Sequence, residues 1–79
     1  MEEIIGFVNG NANRRKILEI LDSKKEADSV RIAKIARIIP SAAAQILTDL
    51  SARNLVQKNG DKYGLTDDGK IVIGFIRAL

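Results

Sequence analysis

The sequence predicts one mainly α-helical domain with a small β-hairpin. It should have a three-helix core, a two-stranded extension, and a further helix at each end. Three observations carry this expectation. Apolar residues recur with helical spacing along most of the chain. Pro40 falls between two such stretches and cannot continue the first, yet suits the first turn of the second. Asn59-Gly60, between two short segments of strand character, is the strongest two-residue hairpin signal present.

The elements follow in order. Glu2–Val8 is apolar apart from its two acids and reads as a short helix stopped by Asn9-Gly10-Asn11. Asn11 or Asn13 can cap the next helix, which should run to about Ser23. It places Ile17, Leu18, Ile20 and Leu21 on one face, and Arg15, Lys16, Glu19 and Asp22 on the other. Lys24–Asp28 is polar and reads as a loop. Ser29 or Asp28 can cap a third helix, which spans residues 29–38 and points Ile32, Ala33, Ile35 and Ala36 inward. Its outer face carries Arg31, Lys34 and Arg37 as a basic stripe. The chain breaks near Arg37–Ile39 and restarts at Pro40. The fourth helix, residues 40–53, should bury Ala43, Leu47 and Leu50. Leu55–Lys58 and Asp61–Leu65 form the hairpin, with Asn59 and Gly60 both at positive φ. Thr66 caps a last helix with Asp67 and Asp68 in its first turn, where the helix dipole favours acids.

Composition narrows the function. The chain has 79 residues, enough for one domain over 1–79. It contains no Cys and no His, which removes thiolate zinc sites, Cys nucleophiles and imidazole bases. No carboxylate cluster, nucleophile–base pair or phosphate-binding glycine loop appears, so no metal, no cofactor and no enzymatic activity are expected. No signal peptide is expected, and no apolar run approaches the ~20 residues of a membrane span, so no membrane association is expected. A cytoplasmic protein is expected. A net charge of +3 permits a nucleic-acid partner without establishing one.

The stretch from Val30 to Thr66, VRIAKIARIIPSAAAQILTDLSARNLVQKNGDKYGLT, resembles the winged helix-turn-helix transcriptional regulators of bacteria and archaea. Ala33 falls where such domains cross two helices closely. Ala43, Leu47 and Leu50 match the buried side of their recognition helix. Leu55-Val56 matches the start of the wing, and Tyr63-Gly64-Leu65-Thr66 with Gly69 matches its end. NANRRKILEIL upstream resembles their first core helix. Three positions depart from the pattern. Arg37 stands where the turn glycine is usual, Asn54 replaces the glycine before the wing, and the recognition helix has no Arg or Lys before Arg53.

The resemblance implies a DNA-binding regulator that grips double-stranded DNA with helix 40–53 in the major groove. Base contacts would come from Ser41, Ala42, Ala44, Gln45 and Thr48. Gln45 can pair with adenine and alanines can touch thymine methyls, but the usual Arg–guanine contact is missing. Phosphate contacts would come from Arg31, Lys34, Arg37 and Arg53, and from Lys58 and Lys62 on wing 55–65. Each set also has a plain structural explanation as a solvated helix face or a charged hairpin. Arg14 lies near the edge of the apolar face, where a structural ion pair is expected. The terminal helix is apolar over more than half its circumference, wider than one small core needs. Regulators of this kind often dimerise through terminal helices. A homodimer is therefore expected through Ile4, Ile5, Phe7 and Val8 with Val72, Phe75, Ile76 and Leu79. The alternative is that the terminal helices satisfy each other within one chain. The alternative function is a winged-helix protein-interaction module without specific DNA readout.

Overall fold

Three of the helices begin where a short polar side chain takes up backbone N–H groups that the first turn leaves unpaired. The Asn11 side-chain Oδ1 accepts the N–H groups of Asn13 at 2.9 Å and Arg14 at 3.1 Å. Asp28 accepts from Arg31 at 2.8 Å, and the Thr66 hydroxyl accepts from Gly69 at 3.0 Å. Such caps contribute about 1 kcal/mol each. The computed structural model describes residues 1–79. Its helices are α1 (Glu2–Asn9), α2 (Ala12–Lys24), α3 (Ser29–Ala36), α4 (Pro40–Ala52) and α5 (Asp67–Ala78). Its strands are β1 (Glu26–Asp28), β2 (Val56–Asn59) and β3 (Lys62–Leu65).

α3 and α4 end in the same way. At the end of α3, Arg37 takes a left-handed conformation with φ 59. The Ile38 N–H then reaches the Ala33 carbonyl at 3.1 Å, and the Arg37 N–H reaches that of Lys34 at 3.3 Å. At the end of α4, Asn54 has φ 61, and Leu55 and Asn54 donate to the carbonyls of Leu50 and Ser51, each at 3.0 Å. Both ends are Schellman motifs, in which the left-handed residue lets its own N–H and that of the residue after it close the helix. The residue after each is apolar and turned toward the core: Leu55 is buried and Ile38 packs against the core partly buried. The missing turn glycine is thus replaced by an arginine in the glycine's conformation. The third helix accordingly stops at Ala36 instead of Ile38.

Two expectations about strands change. Residues 26–28 are a strand, not a loop: β1 pairs antiparallel with β3, Ala27 opposite Tyr63, giving a three-stranded sheet in the order β1-β3-β2. The hairpin turn also sits one residue later than expected. Asn59 pairs with Lys62, so Gly60 and Asp61 form the turn. Only Gly60 has positive φ, at 65, which fits a turn of type II′ with glycine in its first central position.

The core gathers one face of every helix. α2 supplies Ile17, Leu18 and Leu21; α3 supplies Ile32, Ala33 and Ala36; α4 supplies Ala43, Leu47 and Leu50. Ile35 does not join them. It is 39% exposed, because three positions suffice to face α2 and α4 from a helix of eight residues. Leu55, Val56 and Leu65 seal the base of the hairpin, and Val72, Ile73 and Ile76 of α5 close the far side. Arg77 of α5 pairs with Asp22 of α2 across that side.

Candidate nucleic-acid interface

α4 buries Ala43, Leu47 and Leu50 and presents Ser41, Gln45 and Thr48 along the opposite stripe, one helical turn apart. Ala44 beside that stripe is exposed and Ala42 is half-buried. Two of the polar groups have partners within the helix. The Gln45 amide nitrogen donates to Asp49 at 3.0 Å, and the Thr48 hydroxyl donates to the Ala44 carbonyl at 3.0 Å. Ile39 precedes the helix as its N-cap, provides no side-chain acceptor, and is 67% exposed.

The basic residues form the rim. Arg31 and Lys34 are exposed on α3. Arg37 is exposed too, but it belongs to the turn and not to the helical stripe. Lys58 and Lys62 are exposed on the wing strands, with Lys58 lying 5.7 Å from the centre of the Tyr63 ring. The beginning of α3 adjoins the wing: Ser29, Val30, Lys58 and Tyr63 line one shallow groove, with Asp28 and Asp61. Ion pairing within the chain is limited to Arg15–Glu19 and Arg77–Asp22. Arg31, Lys34, Arg37, Arg53, Lys58 and Lys62 thus carry charges without an acidic partner.

Packing adds one cation that periodicity had assigned to an ordinary surface. Lys16 of α2 extends to the last turn of α3, its ammonium 3.4 Å from the Ala36 carbonyl. No local pattern marks this residue, since the approach depends on how α2 and α3 cross.

Arg53 stands elsewhere. Its guanidinium lies over the Phe7 ring of α1, 4.2 Å from the centre, and that of Arg14 lies 4.0 Å from the same centre. Arg14 also donates to the Phe7 carbonyl at 2.9 Å. Its partners are a ring and a backbone oxygen in place of the expected carboxylate. Phe7 therefore ties α1 to the start of α2 and the end of α4 through cation–π contacts.

The terminal helices divide into two sets. Val8, Val72 and Ile76, three of the expected interface residues, are buried in the chain's own core. Ile4, Ile5 and Phe7 are half-buried, because α1 and α5 pack against each other. Met1, Ile71, Phe75 and Leu79 remain exposed, Phe75 by 50% and Leu79 by 83%. A cleft of about 190 Å³ opens between Met1, Ile4, Arg53, Leu55, Asp68, Ile71 and Val72. Nowhere do three or more Asp or Glu side chains converge as they would around a metal ion. No helix is long and apolar enough to cross a membrane.

No family model matches the sequence, and no curated protein matches it. Solved structures do match its shape. The reduced form of MarR from E. coli superposes with a TM-score of 0.87 over 98% of this chain and 58% of that one, at 19% identity. NadR in complex with 4-hydroxyphenylacetate gives 0.82 over 86% of this chain and 53% of that one, at 23% identity. BpsR of Bordetella bronchiseptica, described for the regulation of its DNA binding by 6-hydroxynicotinic acid, gives 0.79 over 86% and 53%, at 21% identity. The chain thus spans little more than half the length of the proteins it superposes on. The five helices, the three-stranded sheet and the order in which they follow one another are those of the winged helix-turn-helix fold, as in MarR.

Proposed function

We propose that this chain binds duplex DNA as the DNA-binding part of a homodimeric transcriptional regulator. α4 lies in the major groove, and α3, the turn at Arg37 and the wing hold phosphates on either side. The observation that supports this reading is the rim of unpaired cations around α4. Arg31, Lys34 and Arg37 lie on one side and Lys58 and Lys62 on the wing, none of them paired with an acid. Unpaired cations beside an exposed helix suit phosphates, which are spaced regularly and need no sequence match.

The second copy of the chain would cover Met1, Ile71, Phe75 and Leu79. Two glycines fit this reading. Gly6 in α1 and Gly74 in α5 have open space where a side chain would begin, so nothing within the chain calls for glycine there. Glycine inside a helix costs about 1 kcal/mol relative to alanine. A neighbouring helix from a second copy would use the space that both leave.

One observation favours a different reading. The outward stripe of α4 bears no Arg or Lys, and Ile39 and Ile35 are exposed near it. Such a surface also suits a protein partner. A titration with random-sequence duplex DNA at two salt concentrations separates the two. DNA binding predicts that affinity falls steeply with salt as counterions are released. Weak binding at both concentrations would reject it and leave the protein-interaction reading.

A further inference from the structure

Resting on the DNA-binding reading, we propose that the outward side of α4 recognises the C5 methyl groups of thymines, with Ile39 ahead of its first turn and the methyl of Thr48 further along its outward stripe as the reading groups. The preferred site would then be thymine-rich in each half.

The argument begins with what the surface has left to offer. The Thr48 hydroxyl hydrogen is committed to Ala44, and the Gln45 amide nitrogen is turned along the helix to Asp49. No guanidinium or ammonium reaches from the outward stripe, so the donors that commonly read guanine are absent. Most of what remains is apolar: Ile39, Ala42, Ala44 and the Thr48 methyl. In the major groove the one apolar feature of any base is the thymine methyl.

Ile39 adds an independent reason. Its neighbour Ile38 packs against the core, whereas Ile39 is 67% exposed at the N-cap. Ser, Thr, Asp or Asn there would cap α4 and contribute about 1 kcal/mol. Folding thus gains neither burial nor a cap from this isoleucine. It stands at the end of the recognition helix that approaches base edges in helix-turn-helix docking. The unpaired cations Arg31, Lys34 and Arg37 nearby match a phosphate backbone, which assigns the apolar patch to DNA in preference to an apolar protein groove.

The test starts by selecting a preferred site from a random duplex pool. That site is then synthesised with thymine and with deoxyuridine, which differs only in lacking the methyl. The expected site is thymine-rich, and deoxyuridine weakens binding about fourfold for each contacted methyl, the equivalent of about 0.8 kcal/mol. The salt slope stays the same, because no charge changes. Ile39→Ser and Thr48→Ser should each reduce the thymine-to-deoxyuridine ratio. Neither endangers the fold: serine is a better cap than isoleucine, and Thr48→Ser keeps the hydroxyl while removing only the methyl. Equal affinity for the two duplexes, or a site anchored on guanine, overturns methyl reading and leaves DNA binding standing. Failure to bind any duplex at low salt overturns the DNA-binding reading itself, and methyl recognition with it.

Discussion

The Leu55 carbonyl oxygen occupies the place where a side chain on Gly69 would begin. This approach locks the first turn of α5 against the chain as it enters the wing. The same carbonyl accepts the Thr66 N–H at 3.1 Å, the Thr66 hydroxyl donates to the Asn54 carbonyl at 2.6 Å, and the Asn54 amide donates to Asp68 at 3.0 Å. One junction thus fixes the end of α4, the base of the wing and the start of α5.

Gly69→Ala should therefore destabilise the fold, although alanine is the better helix former. The added methyl meets backbone, which cannot rotate away, and Leu65 stands 3.3 Å off on another side. Overpacking of this kind costs about 2 kcal/mol. Urea denaturation should show the midpoint falling with the slope unchanged. A variant as stable as the parent would mean that the junction yields without strain.

Arg37→Gly should separate stability from binding. An L-residue in the left-handed region is strained by about 1–2 kcal/mol, part of which glycine returns as lost backbone entropy. Thermal unfolding should show a gain of about 0.5–1 kcal/mol. Affinity for duplex DNA should nevertheless fall, because an exposed and unpaired charge is removed. Improved stability with unaltered affinity would remove Arg37 from the phosphate rim.

Lys34→Ala and Gln45→Ala distinguish gripping from reading. Lys34 is exposed on α3, which the DNA-binding reading sets against phosphates, so its loss should weaken all duplexes alike and lower the salt slope by about one per subunit. Gln45→Ala removes no charge, so its salt slope should stay the same. If its amide leaves Asp49 to pair with an adenine, the loss on the selected site should be about 1–3 kcal/mol, and on random DNA little; if the amide stays with Asp49, neither site should lose affinity.

Ile71→Lys and Phe75→Lys test the second copy. Both residues are half-exposed, so neither change opens a cavity, and circular dichroism should remain that of the parent. Light scattering should show the parent as a dimer at micromolar concentration and the variants as monomers. Gly74→Ala should stabilise a lone chain by up to about 1 kcal/mol yet weaken the dimer, since it fills space at the contact. A parent that is monomeric at hundreds of micromolar excludes this interface.

Local chemistry made most of the fold readable. Asn11, Asp28 and Thr66 cap helices because a short acceptor needs only the next three residues to act. Pro40 opens α4 because its ring rules out the preceding turn. The faces marked by Ile17, Leu18 and Leu21, and by Ala43, Leu47 and Leu50, follow from helical period alone. The candidate cations of α3 and the wing were legible for the same reason, since a residue opposite a buried stripe must face outward.

What depended on distant partners was decided only by the tertiary structure. β1 has three residues and little apolar character, and its hydrogen bonds come from β3, more than thirty positions away, so no local pattern announces it. The hairpin turn moved from Asn59-Gly60 to Gly60-Asp61 because pairing Val56 with Leu65 fixes the register from the base, and the tip must follow. The apolar terminal helices showed that much surface needed covering, but not which part. Packing α1 and α5 on α2 buried Val8, Val72 and Ile76 and left Ile71 and Phe75 outside. The packing of α1 brought Phe7 beneath Arg14 and Arg53, and the crossing of α2 and α3 brought Lys16 to the end of α3. A sequence records which residues a helix can offer on each face. Which face meets a neighbour, and at what angle, is set by burying all the faces at once.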